Sequence, residues 1–301
     1  ANNIDEVIIE SKNYTAKVKA SGYTLDKKLL HRELIDNISS DYVDFHLGVQ
    51  IKEIEKDKNS YTSLLDNKGN SYVSKVFVDA TGTSGVLSKK VGLIKKHTQL
   101  ATGVEYNVKY LGETNRIYLL LGSQYKGGYG WIFPLKNGRA IIGFGTIDNS
   151  LKKGLKERLN KIIELPNIKK LVEKDNEKVE GGSIPITPVL EEFVINNLVC
   201  VGDSVSQVNP IAGEGYKFIF ESAIMASKAI SNSLTDDNIE LLKTYENDWK
   251  ERFSYNYKRS KIAQERLNKF SKSDTLIDIG ILLSKLRSNK KNLESLSSEY
   301  K

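Results

Sequence analysis

The spacing of apolar positions changes character several times along the chain. Residues 7–9 and 15–18 read as two short strands around a turn at Ser11-Lys12-Asn13, since β-branched runs bounded by turn formers favour extended backbone. Leu25, Leu29, Leu30, Leu34 and Ile35 recur at helical intervals and predict a helix over residues 25–38. Strands follow at 49–54, 61–65 and 72–78, and Asp66-Asn67-Lys68-Gly69-Asn70 makes the last two a hairpin. Residues 98–146 are β-rich, with strands expected at 101–108, 116–121, 130–133 and 139–145. The short turns between them favour an antiparallel sheet. A helix over 151–165 is closed by Pro166, and a strand surrounds residues 183–186. A short buried strand at 198–201 ends in Gly202-Asp203. Residues 215–233 are apolar on most sides, the pattern of a buried helix. Residues 237–270 predict a long charged amphipathic helix, opened by Asp237 with Glu240 three residues on, as in a capping box. A last helix is expected over 275–286, followed by a polar, fraying tail beyond Arg287.

This order of elements suits an α/β chain with an antiparallel sheet, and the composition is that of a soluble globular protein. The 301 residues suffice for two domains, and 39% of them are hydrophobic against 28% charged. No run approaches the 18 or so apolar residues of a membrane span, and residues 1–10 lack the basic-then-apolar order of a signal peptide. The chain opens on Ala1 and its single Met is Met225, so a fragment or a processed product is expected. Lys plus Arg number 45 and Asp plus Glu 38, a net charge of +7. The cations are scattered, which suits a solvated surface; nucleic acid or anionic lipid would be the partners such a charge attracts. No nucleic-acid-binding module and no aromatic–basic interleave are present, so nucleic acid is not expected as a partner. Cys200 sits in an apolar run and reads as a small core residue. There is no Cys/His metal spacing, and His31, His46 and His97 are dispersed, so no metal is expected and a reducing, cytoplasmic setting fits.

Four stretches carry candidate chemistry. Residues 199–215 (VCVGDSVSQVNPIAGEG) run from a buried strand, through an acid at its C-terminal end, to glycines that open a helix. Sheets of α/β type place ligands at such ends. Glycines let a ligand approach the backbone, and a helix N-terminus favours negative charge. Asp203 suits a sugar or polyol hydroxyl; Gly-Asp read alone favours a capping Asp in a strand–loop–helix crossover, and the whole run favours the ligand. Residues 78–85 (VDATGTSG) are a β-branched strand running into a small-residue turn, which is also how an ordinary strand ends. Residues 128–134 (GYGWIFP) place Tyr129, Trp131 and Phe133 on one face of a strand, the pattern either of a core stripe or of a flat apolar ligand surface. Residues 22–27 (GYTLDK) end in Lys27, which keeps a positive charge without the guanidinium fork of arginine.

Together these stretches resemble the geranylgeranyl reductase family of FAD-dependent oxidoreductases, within the flavoproteins that share the p-hydroxybenzoate hydroxylase fold. The Gly-Asp…Asn-Pro…Gly-Glu-Gly run looks like their second FAD motif, with Ser204 and Val205 in place of small Ala residues and Tyr216 in place of Ile. The Asp-Ala-Thr-Gly run at 79–82 and the Tyr-x-Trp-x-Phe-Pro run at 129–134 match further family segments, as does Gly181-Gly182-Ser183-Ile184-Pro185. The resemblance covers nearly the whole chain to about Ser233. It implies cofactor contacts from Lys27, Thr81, Gly82, Gly202, Asp203, Pro210, Gly213, Glu214 and Gly215. Asp203 would bind ribityl or ribose hydroxyls, and residues 210–215 would lie along the isoalloxazine. It implies an isoprenoid site lined by Tyr129, Trp131, Phe133, Pro134, Gly181 and Gly182, with Tyr129 the one candidate proton donor, although a free phenol titrates near pH 10.

By the same resemblance, the expected fold is the FAD-binding p-hydroxybenzoate hydroxylase-like fold with added C-terminal helices. It would lack the N-terminal βαβ unit, because no Gly-x-Gly-x-x-Gly pyrophosphate fingerprint occurs. Residues 22–88 and 191–233 would form an incomplete, discontinuous FAD domain. Residues 1–21 and 91–190 would form a β-sheet substrate domain, and 234–301 a helical segment. The implied activity is hydrogenation of C=C bonds in geranylgeranyl chains of an isoprenoid or archaeal-type ether lipid. FAD would be charged by NAD(P)H or another reduced donor, on a protein lying peripherally on an anionic membrane. The alternatives are a monooxygenase or halogenase on the same fold, or a flavin- or lipid-binding protein without catalysis.

Overall fold

The computed structural model describes residues 1–95, 99–175, 178–211 and 213–286. His97, Thr98, Ala212 and the polar tail beyond Arg287 lie outside the described residues. In chain order the elements are β1 (Asn2–Glu10), β2 (Thr15–Thr24), α1 (Lys27–Asp36), β3 (Ile51–Asp57), β4 (Ser60–Asp66), β5 (Ser71–Val73), β6 (Phe77–Asp79), α2 (Val86–Lys90), β7 (Leu100–Tyr110), β8 (Arg116–Leu120), β9 (Gly128–Pro134), β10 (Arg139–Thr146), α3 (Leu155–Ile163), α4 (Pro166–Lys169), β11 (Val172–Glu173), β12 (Glu180–Pro185), β13 (Val194–Ile195), β14 (Leu198–Cys200), α5 (Tyr216–Thr235), α6 (Lys243–Phe270) and α7 (Asp274–Leu286). They fall into two compact units. Of the described residues, the first comprises Ala1–Asp44, Ala101–Ser183 and those from Glu265 to Leu286; the second comprises Phe45–Leu100 and Ile184–Gln264.

The first unit is built on one sheet in the order β11-β7-β10-β9-β8-β1-β2, with β12 also paired to β7. The pairs β1–β2, β7–β10, β9–β10, β7–β11 and β8–β9 are antiparallel as expected. β1 runs parallel to β8, from Glu6 opposite Arg116 to Glu10 opposite Leu120. One face of the sheet buries Tyr106, Val108, Leu120, Ile132, Ala140, Ile142 and Phe144 under Leu155, Leu159, Ile162 and Ile163 of α3. α3 starts only at Leu155, because Gly154 (φ 80°) breaks the chain direction before it. Pro166 does more than bound this helix, which ends at Ile163. It opens the short α4, with Leu165 extended before it, since proline fits the first turn of a helix and disfavours helical geometry in the residue that precedes it.

The second unit holds two small sheets, β3-β4-β5 and β13-β14-β6. The expected single strand over 72–78 is divided between them. β5 pairs with β4, whereas β6 runs parallel to β14 with Asp79 opposite Cys200. At the break, Ser74 Oγ donates to the Val76 carbonyl, and the distant Asn197 amide holds the Lys75 carbonyl at 3.0 Å. The core packs Phe77, Phe193, Leu198, Val199 and Cys200 against Phe218 of α5 and Tyr245, Trp249, Phe253 and Tyr257 of α6. Two helix readings need correction here. α5 is not buried on most sides, because Ile219, Phe220 and Ile224 are exposed. The long helix is not opened by Asp237, which takes a left-handed φ of 47°. Asn238 caps a short 3-10 turn (Ile239–Leu242) by accepting from the Glu240 N–H, and α6 follows from Lys243.

Candidate functional site

In the second unit the two Asp-containing motifs become one structure. Parallel pairing of β6 with β14 brings Asp79 and Gly202-Asp203 to neighbouring strand ends. The Val201 N–H and the Ser204 hydroxyl both donate to the Asp79 carbonyl, and the Ser88 hydroxyl donates to the Ser204 carbonyl. The Asp79 carboxylate is fully buried. It accepts from Thr81 N–H at 3.0 Å and Thr81 Oγ1 at 2.6 Å, and from Leu87 N–H at 2.9 Å and Ser88 N–H at 2.7 Å. Asp79 thus ties the start of α2 to the strand end. Thr81 is committed to the same tie: its Oγ1 also accepts from the Val86 N–H. Gly82 takes a left-handed φ of 65° with open space where a Cβ would stand.

Asp203 differs from Asp79 in what surrounds its charge. Its carboxyl is half-buried, and none of the described side-chain hydrogen bonds reaches it. Burial alone pushes its pKa above the usual carboxylate range. The turn that presents it is built by Gln207, which is fully buried. The Gln207 amide oxygen accepts from the Gly202 N–H at 2.8 Å, and its NH2 group donates to the Tyr245 hydroxyl at 2.9 Å. Gly202 (φ 64°) supplies the left-handed step that this turn requires. Asn209 then closes the next loop: its backbone exchanges hydrogen bonds with Glu214 and Gly213, and its side chain accepts from the Ile211 N–H. Pro210 is buried in this loop. Gly213 (φ 64°) is doubly constrained, since a Cβ there would also lie 2.8 Å from Ile184 Cδ1. Gly215 stands at the N-cap of the 20-residue α5. Asp79 and Asn209 stood in the motifs read from the sequence without a role of their own, and Gln207 had none. Their signal was present in a small polar residue among apolar neighbours, but its partner cannot be inferred locally.

In the first unit, Tyr129, Trp131 and Phe133 alternate with Gly130, Ile132 and Pro134 along β9, and the burial follows. Gly130, Ile132 and Pro134 are buried, whereas the three aromatics are half-buried. The stripe therefore occupies the sheet face opposite the α3 core. Trp131 packs edge-on to Tyr129 at 5.7 Å and stacks on Phe133 at 6.1 Å. The indole lies across a floor of glycines on neighbouring strands: a Cβ on Gly143, Gly145 or Gly103 would stand 2.3, 3.3 or 3.2 Å from it. The buried indole N–H has no hydrogen-bond partner. Gly181 lets β12 approach β7 closely, with a hypothetical Cβ 3.0 Å from the Gly103 carbonyl, while Gly182 is open. The Pro134 carbonyl accepts from Thr24 and Asn2. Lys27 also lies in this unit, at the start of α1, its ammonium 3.3 Å from Glu105. Among the described residues no cluster of His, Cys, Asp or Glu could hold a metal ion.

No family model matches the chain. A curated relative, digeranylgeranylglycerophospholipid reductase from Methanococcus aeolicus, is 27% identical over 267 residues, 85% of this chain and 67% of that protein. The chain is thus similar to curated digeranylgeranylglycerophospholipid reductases. It spans about two thirds of this relative's length. The reductase likeness extends to structure: a geranylgeranyl bacteriochlorophyll reductase-like protein from Thermoplasma acidophilum superposes with a TM-score of 0.83 at 20% identity, covering 99% of this chain and 80% of that one. A flavin-dependent brominase shares the same fold, with a TM-score of 0.69 at 17% identity over 98% of this chain and 75% of its own. The fold is thus that of a flavoprotein group in which a reductase-like protein and a halogenase both occur.

Proposed function

We propose that this chain acts as an FAD-dependent reductase that hydrogenates C=C bonds in the geranylgeranyl chains of a phospholipid. The observation that carries the substrate class is the aromatic stripe on the face of β9 turned away from the core, with Trp131 laid flat on glycines. A planar apolar surface grips a branched hydrocarbon by contact area and asks nothing of it in hydrogen bonds. A core stripe would instead share the α3 face with Ile132.

The residues of the second unit fit the cofactor. Asp203 is a desolvated carboxylate awaiting donors, which the hydroxyls of a ribityl or ribose chain supply. Gly213 and Gly215, with Pro210 and Glu214, would line the loop along the flavin ring, and Gly202 with Gly82 would leave the backbone approachable. Thr81 supports this loop through Asp79. Bound FAD supplies the hydride for the alkene, with NAD(P)H or another reduced donor as the source of electrons. The protein contributes positioning: Tyr129, Trp131 and Phe133 hold the chain, with Pro134, Gly181 and Gly182 shaping the same part of the sheet. Residues 45–88 with 191–233, all in the second unit, would make the cofactor domain, and residues 101–183 the substrate domain; residues 22–44, expected in the cofactor domain, fold with the first unit. A phospholipid substrate also implies a protein that works on a membrane surface. Among the described residues no helix is long and apolar enough to cross a membrane.

The test is an anaerobic single turnover. Full-length protein loaded with FAD is reduced chemically and mixed with digeranylgeranylglycerophospholipid, and the lipid is followed by mass spectrometry. A gain of two mass units per bond, with return of the oxidised flavin spectrum, is expected. Flavin that stays reduced until oxygen is admitted would instead favour a monooxygenase or halogenase. Absence of any flavin binding by the full-length protein would overturn the cofactor assignment.

A further inference from the structure

We propose that the outward face of α7 docks onto an anionic lipid bilayer. α7 is a 13-residue helix, and its inward face is accounted for. Ile277 and Ile281 pack against Ala16, with Ile9, Leu121 and Leu267 around them. Both of its acids are tied to the body of the first unit. Asp278 accepts from the Ser11 hydroxyl at 2.5 Å and the Asn13 amide at 2.7 Å, and Asp274 accepts from the Ser123 N–H at 2.6 Å. The outward face carries Leu276, Ile279 and Leu282, exposed to 45%, 47% and 41%. Their spacing of three residues places them on one stripe. The chain leading into α7 presents Arg266, Lys269 and Lys272, all exposed, together with Phe270, which is 42% exposed.

An apolar stripe entered through a cationic segment is the pattern of a helix that lies in a bilayer interface. The hydrocarbon side chains reach the acyl boundary while the cations stay at the headgroups. A second copy of the chain is a poorer occupant, because a two-fold contact centred on this stripe would bring the same cations together. The proposal rests on the phospholipid reading above only for the reason that such a surface is useful. Its test needs neither flavin nor substrate, so the two fail separately.

The chain is floated with phosphatidylcholine vesicles that do or do not contain phosphatidylglycerol. It should float with the anionic vesicles at low salt and be released at high salt. Leu276→Ser with Ile279→Ser, or Lys269→Glu with Lys272→Glu, should each weaken flotation at least tenfold. Circular dichroism should be unchanged, since all four side chains are exposed. Failure of the wild-type chain to float, or equal flotation of both double variants, overturns the proposal. So does a concentration-dependent dimer, seen by sedimentation, that the Leu276/Ile279 variant abolishes, because the stripe would then be a contact between copies.

Discussion

Trp131 and Gly143 face each other across β9 and β10, and a single methyl group on Gly143 would sit 2.3 Å from the indole carbons Cε2 and Cζ2. The contact is too close for any side chain. Gly143→Ala must therefore lift the indole off its floor or bend β10, at a cost of about 1–3 kcal/mol. Thermal denaturation of the single variants and of the Gly143→Ala/Trp131→Ala double variant tests the partnership. The alanine at 143 should cost little once the indole is gone. A Gly143→Ala penalty that persists in the double variant would place the strain in the strand rather than against Trp131.

Trp131→Ala separates contact from chemistry. Chemical reduction of bound FAD should proceed normally, because that step involves no lipid. Reoxidation by a geranylgeranyl lipid should slow on the order of a hundredfold, matching the loss of roughly 2–4 kcal/mol of aromatic contact. A folded, FAD-replete variant that turns over the lipid at the wild-type rate removes Trp131 from the substrate site.

Asp203 should trade stability for binding. Its pKa is raised by burial, so the folded chain binds a proton more readily than the unfolded chain does. The resulting cost is absent below about pH 4, the ordinary carboxylate pKa, and grows as pH rises through the higher folded value. Asp203→Asn should then stabilise the unliganded chain at neutral pH, while Asp203→Ala weakens FAD binding about tenfold or more. Urea titrations at pH 4 and 7, with and without FAD, read both effects. An Asn variant less stable than wild type at pH 7 would contradict the picture of an unpartnered carboxylate.

Asp79 should behave in the opposite way. Removing its carboxylate strands the buried Leu87 and Ser88 N–H groups, each worth about 1–3 kcal/mol. Asp79→Ala should lose several kcal/mol of stability by denaturant melt, with FAD affinity falling only as the fold does. A stable variant that has lost only FAD would mean that Asp79 touches the cofactor.

Asp278 predicts acid sensitivity at the C-terminal helix. The Ser11 hydroxyl, with Asn13, holds its carboxyl below the usual range. Its contribution is therefore complete above about pH 4 and is lost as pH falls through the lowered folded value. Hydrogen exchange in residues 274–282 should accelerate below pH 4 before the sheet does, and Asp278→Asn should remove that step. Simultaneous loss of helix and sheet would show that α7 is not held separately by this carboxylate.

Much of the local structure was legible in the residues. Period-two alternation marked β9 and its aromatic face, and the β-rich run from residue 100 to 146 follows the order observed. The strand-end acids and the glycines after them could be singled out, because those residue types carry their backbone requirements with them. Alternation separates two faces but does not say which one meets a helix. Only α3, arriving from residues 155–163, assigned Ile132 to the core and left Trp131 outside it.

Other decisions lie further from local pattern. A helix signal at Asp237 gave way to Asn238, since one left-handed residue moved the cap. The strand expected over residues 72–78 divided because β5 and β6 answer to different partners, at residues 63–65 and 198–200. The same parallel pairing joins Asp79 to a turn more than a hundred residues away. The sequence alone marked candidate residues for a polyol or a hydrocarbon and the residues suited to turns. The tertiary structure alone decided that Asp79 is saturated with donors while Asp203 is not, because satisfaction of a buried charge depends on groups brought together from distant parts of the chain.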